Sequence, residues 1–143
     1  MADETNQLRV RLVTPERTLF DHAATAVELP AKNGYMEVLY GHTPLVAELG
    51  AGDVTLHCGP DALDALSRYN VSWGFAEVLP DRVTILANDA LKPEEIDVPR
   101  AQEQLARGHK QWDEAGDSED AYTEALRVIA EAEAKIASAT EKH

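Results

Sequence analysis

Residues 82–93 have the sequence RVTILANDALKP, and the chain changes character within them. Upstream, short runs alternate apolar and polar residues between turn residues, as LRVRLV does at residues 8–13, which is typical of half-buried β-strands. Downstream, residues 94–143 hold ten alanines, two glycines and one proline, with apolar residues at helical spacing. The sequence therefore predicts a mainly β module over residues 1–90, followed by a helical segment over residues 91–143.

Composition narrows the class of protein. At 143 residues the chain fits one domain, or one small domain with an appendage, and its formal charge of −13 argues against contact with nucleic acid or anionic lipid. The single cysteine, Cys58, excludes an intramolecular disulfide and fits a reducing compartment. The first residues do not resemble a signal or transit peptide, and no run approaches ~20 apolar residues, so we expect no bilayer insertion. These features indicate a cytosolic protein whose partners are other proteins.

Several short strands at close spacing predict an antiparallel sandwich or barrel. Pro80-Asp81 is flanked by two such strands, which predicts a hairpin, and residues 50–53 are expected to interrupt the chain between strands. Residues 61–68 fit a short helix as well as a strand. The predicted strands are residues 8–13, 25–29, 35–39, 45–49, 54–57, 69–73, 75–79 and 82–87.

Two helices follow. The first is expected to begin at Asp97 as N-cap, with Pro99 in its first turn, and Gly108 should weaken its middle by about 1 kcal/mol relative to alanine. Residues 114–118 close this helix and cap the second one. Alanine-rich stripes bury little area, so the hairpin should be held weakly and could detach. The predicted stripes are Ala101, Leu105 and Trp112 on the first helix, and Tyr122, Leu126, Ile129, Ala132 and Ile136 on the second, with Ala125 and Ala139 beside the latter.

The sequence contains no motif typical of an enzyme: no nucleophile elbow, phosphate-binding loop, dinucleotide fingerprint or zinc spacing. His57 and Cys58 are adjacent, but neighbours on a strand point to opposite faces, which disfavours a shared metal. The acidic residues of Glu94-Glu95-Ile96-Asp97 suit the first turn of a helix better than a cation site. The loop Gly41-His42-Thr43-Pro44 fixes its backbone and leaves the His42 ring able to face a partner.

Taken together, these segments resemble the epsilon subunit of bacterial F-type ATP synthase over nearly the whole chain. A mitochondrial delta subunit is a near relative of the same kind. The segments that carry the resemblance are VTPE (13–16), LFD (19–21), VELP (27–30), VLYGHTPLV (38–46), GFAEV (74–78), DRVTILA (81–87), and Ile96-Asp97 with Arg100-Ala101.

The resemblance implies a flattened antiparallel β-sandwich followed by a C-terminal two-helix hairpin. It implies a non-catalytic rotor subunit that packs on the gamma subunit and the c-ring at the foot of the central stalk. Such a subunit helps couple proton flow to ATP synthesis, peripherally, on the cytoplasmic face of the bacterial inner membrane. The expected contact residues are Gly41, His42, Thr43 and Pro44, with Asn33 where a relative carries an acidic residue.

The resemblance also implies a regulatory hairpin. In some members it extends towards the alpha and beta subunits and inhibits ATP hydrolysis, and the Ile-Asp-x-x-Arg-Ala motif binds ATP. Asp97, Arg100 and Arg107 are the candidate nucleotide-binding residues here. Val128 and Ala132 stand where nucleotide-binding members carry arginines, so we expect no bound cofactor, and ATP binding that is weak or absent.

The acidic second helix also predicts modest inhibition. The alternatives to a rotor subunit are a nucleotide-sensing regulatory module and an unrelated small β enzyme.

Overall fold

The computed structural model describes residues 7–58 and 66–140. The chain divides into two compact units, Met1–Leu91 and Lys92–His143. Among the described residues, the first unit holds seven strands and the second a short 3-10 turn, Pro93–Glu95, and two helices. The elements are β1 (Leu8–Val13), β2 (Thr18–Ala24), β3 (Ala26–Ala31), β4 (Gly34–Leu39), β5 (Leu45–His57), β6 (Leu66–Leu79), β7 (Arg82–Leu91), α1 (Val98–Asp113) and α2 (Glu119–Thr140).

The strands form one hydrogen-bonded sheet in the order β2-β1-β7-β6-β5-β3-β4. All neighbouring pairs are antiparallel except β1 and β7, which are parallel. The predicted β-sandwich with a helical hairpin is confirmed, as is the β6–β7 hairpin around Pro80-Asp81.

The sheet folds into two layers at a shared bend, which we call the corner. Gly50 on β5, Trp73 on β6 and Asn88 on β7 all fall in gaps of the pairing register, side by side in the sheet. On all three strands the buried apolar residues are odd-numbered before this row and even-numbered after it. The buried apolar residues are Leu49, then Val54 and Leu56, on β5; Tyr69 and Val71, then Ala76 and Val78, on β6; and Val83, Ile85 and Ala87, then Ala90, on β7. The two layers of this one sheet therefore pack their buried faces against each other around a single core.

Backbone geometry at the corner is specific. Trp73 has a φ of 61°, a left-handed conformation that is costly for a bulky side chain. Gly74 has a φ of 127°, and a Cβ at that position would collide with the carbonyl oxygen of Leu86 on β7. Only glycine therefore allows β6 and β7 to approach as closely as they do here.

The core of the sandwich is mainly aliphatic, with Phe20 and Tyr69 as its aromatic members, and it takes residues from both layers. β1 behaves as its alternation predicts, since Leu8, Val10 and Leu12 are fully buried while Arg9 and Arg11 are exposed. The Tyr69 hydroxyl donates a hydrogen bond to the Leu19 carbonyl across the layers, at 3.2 Å.

Three strand predictions are wrong. β2 is absent from the predicted strands, and residues 50–53, predicted to interrupt the chain, lie inside β5. Residues 69–73 and 75–79 form one strand with a bend, not two. The interstrand hydrogen bonding of β5 and β6 continues through their glycine-containing segments, because the neighbouring strands bend at the same row. Of the ambiguous segment 61–68, residues 66–68 belong to β6, and residues 61–65 lie outside the described residues.

The hairpin packs through a seam of small residues. Asp97 caps α1 as predicted, its Oδ1 accepting the Arg100 N–H at 3.1 Å, with Pro99 in the first turn. Trp112 and Tyr122 meet edge to face near the turn, with ring centroids 4.6 Å apart. The buried seam residues are Ala101 and Gly108 on α1, and Ala125, Ala132 and Ser138 on α2. Leu126, predicted to belong to the packed stripe, is 53% exposed, so that prediction is wrong.

Gly108 has a packing role that its low helix propensity does not reveal. A Cβ at this position would lie 2.7 Å from Ile129 Cγ1 and 3.2 Å from Val128 Cγ1. Both atoms belong to β-branched side chains with restricted rotamers, so neither can move aside at low cost. The glycine therefore sets how closely α1 and α2 approach.

Gly74→Ala should lower the free energy of unfolding of the sandwich by about 3 kcal/mol or more, because the added methyl meets the β7 backbone. Gly34→Ala is the matched control. Gly34 has a similar φ of 130°, but a methyl group added there would have no heavy atom within 4 Å. It should lose only the conformational free energy of placing alanine at a positive φ, about 1–2 kcal/mol. Urea unfolding followed by circular dichroism measures both, and equal losses would contradict the role of the corner.

Gly108→Ala should destabilise the hairpin by about 1 kcal/mol, because the clash with Ile129 outweighs the gain in helix propensity. Ala106→Gly, at an exposed position two residues away, should also destabilise by about 1 kcal/mol from propensity alone. Thermal unfolding monitored by far-ultraviolet circular dichroism compares the two. A stabilised Gly108→Ala variant would show that the helices do not need this approach.

Candidate docking surfaces

The loop between β4 and β5 has a fixed backbone. Gly41 has a φ of 89°, and its N–H donates to the Pro80 carbonyl at 2.7 Å, which ties the loop to the β6–β7 turn. The His42 N–H donates to the Leu39 carbonyl at 3.1 Å, and the His42 Nδ1 lies 2.8 Å from the Thr43 carbonyl. With Nδ1 donating to that carbonyl, Nε2 is the ring atom that can meet a partner. Thr43 and Pro44 lie beside it, and Pro44 is exposed.

The structure separates Asn33 from this loop. Asn33 is exposed in the two-residue turn between β3 and β4, whereas His42 follows the other end of β4. A six-residue strand lies between them, which is roughly 20 Å at about 3.4 Å per residue. The residues predicted to contact partners therefore form two sites, one at each end of β4.

The outward face of β4 carries aromatic and apolar side chains that are not among the predicted contact residues. Tyr35, next to the Asn33 turn, is 65% exposed, and its hydroxyl accepts the Asp53 N–H at 2.9 Å, which holds the ring in place. Leu39 and Tyr40 are exposed near the His42 loop. The period-two alternation of β4 could have predicted this face, since Tyr35, Glu37 and Leu39 share it.

A second exposed surface lies across three central strands. Val46 on β5 is 69% exposed, Phe75 on β6 is 54% exposed and Leu86 on β7 is 53% exposed. Phe75 and Leu86 are register partners, and Val46 is diagonal to Phe75, because Glu48 is opposite Phe75. We call Val46, Phe75 and Leu86 the apolar patch.

Arginines lie on the same outward face, towards β1. Arg9 and Arg82 are register partners on β1 and β7, and Arg11 is the next outward residue on β1. We call these three residues the arginine row. Arg9 is held by Asp21 on β2, with 2.7 Å between guanidinium and carboxylate. Together with Asp21, Glu77 and Thr84, these arginines line a surface depression.

The candidate nucleotide-binding residues do not converge. The Asp97 carboxylate is used to cap α1, while Arg100 and Arg107 are exposed on one face of α1, about 10 Å apart along its axis. On α2, Val128 is half-buried, and its carbonyl accepts from Gln104 Nε2 at 3.4 Å. Ala132 is completely buried in the seam.

No arrangement suited to chemistry accompanies these surfaces in the part of the chain that is described. Within residues 7–58 and 66–140, no group of three or more His, Cys, Asp or Glu side chains could hold a metal ion. Burial raises the pKa of the Cys58 thiol, which disfavours the nucleophilic thiolate. Neither described helix is long and apolar enough to cross a membrane.

The fold and its surfaces thus define a class: a β-sandwich with an appended helical hairpin that presents faces for other proteins. The family model for the β-sandwich domain of the ATP synthase delta/epsilon chain matches residues 7–93. An ATP synthase epsilon chain of Koribacter versatilis is 43% identical over 106 residues, covering 73% of this chain and 71% of that protein. Another, from Solibacter usitatus, is 38% identical over 135 residues, covering 94% and 97%. The chain belongs to the family of ATP synthase epsilon chains, which are subunits of the complex and not its catalytic component.

Solved structures share the fold at low identity. A chain in the Euglena gracilis mitochondrial ATP synthase structure (OSCP/F1/c-ring) superposes with a TM-score of 0.74 at 21% identity, covering 93% of this chain and 81% of that chain. A chain of the Tetrahymena thermophila mitochondrial ATP synthase central stalk and c-ring gives a TM-score of 0.68 at 10% identity, covering 96% and 100%. The two-part architecture is therefore retained where the sequence has diverged.

Proposed function

We propose that this chain is a rotor subunit that packs on the gamma subunit and the c-ring at the foot of the central stalk. The apolar patch is the observation that carries this proposal. Three large apolar side chains exposed side by side on a chain of charge −13 are typical of a protein interface. The central-stalk and c-ring context of the structural neighbours supports the same assignment.

The sandwich has the mechanical property that such a position requires. A subunit that turns with the rotor must transmit force without deforming. Every described strand is hydrogen-bonded within one continuous sheet, and the core is close-packed and mainly aliphatic. This rigidity suits a coupling element, through which proton flow drives ATP synthesis elsewhere in the complex.

The two ends of β4 then take different partners. The Gly41–Pro44 loop leads directly into β5, where Val46 belongs to the apolar patch, so we assign His42 to the gamma contact. The opposite end, with Asn33 and Tyr35, is assigned to the loops of the c-ring. Tyr35 supplies aromatic area at the position where Asn33 lacks a charge. The subunit is thereby held peripherally, on the cytoplasmic face of the bacterial inner membrane.

The hairpin is proposed to regulate weakly. Arg100 and Arg107 are the exposed cations of the nucleotide candidates, and α2 offers no arginine at Val128 or Ala132 to complete a phosphate site. Over its length α2 carries five acidic residues and two basic ones, which disfavours docking on an acidic surface. Inhibition of ATP hydrolysis by this hairpin is therefore modest.

Phe75→Asp combined with Leu86→Asp should abolish binding to a gamma-containing F1 core that lacks this subunit, because two carboxylates would be buried unpaired. Biolayer interferometry should show a loss of at least about 100-fold in affinity. Leu126→Asp on α2 is the control, since Leu126 has the same 53% exposure as Leu86. Loss of binding in the control alone would place the contact on the hairpin instead.

Titration calorimetry of the full chain with ATP should give a dissociation constant of about 0.1 mM or weaker. Each missing arginine–phosphate contact is worth about 1.5–3 kcal/mol, so a micromolar site would weaken at least about 100-fold. Arg100→Ala should leave the titration unchanged. Micromolar ATP binding that Arg100→Ala removes would favour the nucleotide-sensing alternative.

A further inference from the structure

The arginine row and the apolar patch form one continuous outward face. On β7, Arg82, Thr84 and Leu86 are successive outward residues, so the face passes from cationic to apolar along a single strand. Arg9 lies opposite Arg82, and Arg11 lies opposite Thr84. A partner that covers Leu86 and Phe75 therefore lies within reach of the arginines at its edge.

The charge of this edge is opposite to that of the whole chain. Arg9 is neutralised by Asp21. Arg11 and Arg82 form no salt bridge with any residue in 7–58 or 66–140, and Glu77 is the remaining carboxylate lining the depression. Asp21 is also the register partner of Arg11, so three guanidinium groups and two carboxylates line the depression, a net positive edge on a protein whose net charge is −13.

Arginine is suited to recognise carboxylates at an interface. Its planar guanidinium group donates two parallel hydrogen bonds to a carboxylate, and it is more weakly hydrated than a lysine ammonium group. At the rim of an apolar contact, water is partly excluded, which strengthens such a pair relative to an exposed surface.

We propose that Arg11 and Arg82 bind a carboxylate-bearing segment of the gamma subunit, the same partner that covers the apolar patch, and so orient the subunit on the stalk. This inference rests on the proposed function. Asp21 holds Arg9 in place, and Glu77 lies between Val46 and Thr84 in the pairing register. The strongly negative chain disfavours a phospholipid surface as the occupant.

The test uses the full chain with Arg11→Glu and Arg82→Glu combined, binding to the F1 core that lacks this subunit. Affinity should fall about 10-fold to 100-fold, mostly through slower association, at about 50 mM salt. The difference from the parent chain should shrink at about 500 mM salt, where surface electrostatics are screened. Arg11→Lys with Arg82→Lys should retain most of the association rate, because the charge is kept. Lys110→Glu, an exposed cation on α1, should have little effect.

The outcomes separate this inference from the proposed function. If Phe75→Asp with Leu86→Asp abolishes binding while the double glutamate variant binds like the parent at every salt concentration, the arginine inference is wrong and the docking face stands. If neither variant changes binding, the docking face itself is wrong.

Vesicles containing phosphatidylglycerol provide the remaining arm. Suppose that the parent chain binds these vesicles, that the double glutamate variant does not, and that both bind gamma equally. That result would assign the arginine row to lipid and overturn the inference. Circular dichroism spectra and melting curves that match the parent confirm that each variant is folded.

Discussion

The close approach of β6 and β7 at Gly74 is the constraint on which the rest of the sandwich depends. A single seven-stranded sheet can enclose a core only if its central strands bend at the same row, and the register gaps at Gly50, Trp73 and Asn88 mark that row. Since the side-chain period of a strand is two, a bend that changed parity on one strand alone would turn its apolar residues outward. The parity changes on all three strands together, so both layers keep their aliphatic faces inward.

The corner also determines what is left for partners. Once the odd-numbered residues of β7 before the bend are committed to the core, Leu86 and Arg82 must face outward, and Phe75 follows on β6. The exposed face is thus the complement of the core pattern. Its apolar content has no folding role in the described structure, which is why we attribute it to an interface.

The hairpin follows a different rule. Small residues such as Ala101 and Gly108, with their partners on α2, bury little area individually. Close packing along a narrow line therefore holds this unit together, in place of a broad core.

Much of this architecture follows from local patterns, whereas the docking surfaces do not. Alternation predicts β1, and Asp97 with Pro99 predicts the start of α1. The long strands could not be predicted, because glycines in residues 50–53 and at Gly74 mark turns in isolation but a bend when adjacent strands share it. The members of the apolar patch are far apart in the chain and become neighbours only through the register of three strands. His42 and Asn33 show the reverse relation, because they are close in sequence but lie at opposite ends of β4.

The distribution of charge adds direction to these surfaces. A chain of −13 is repelled by acidic surfaces at long range, and an apolar patch alone specifies contact but not orientation. In the proposed complex, cations at one edge of that patch bias the encounter towards a single approach, because only one orientation would bring Arg11 and Arg82 onto carboxylates while Leu86 is covered. A rotor element must keep one fixed orientation through every turn, and a face that is apolar at one end and cationic at the other supplies that constraint.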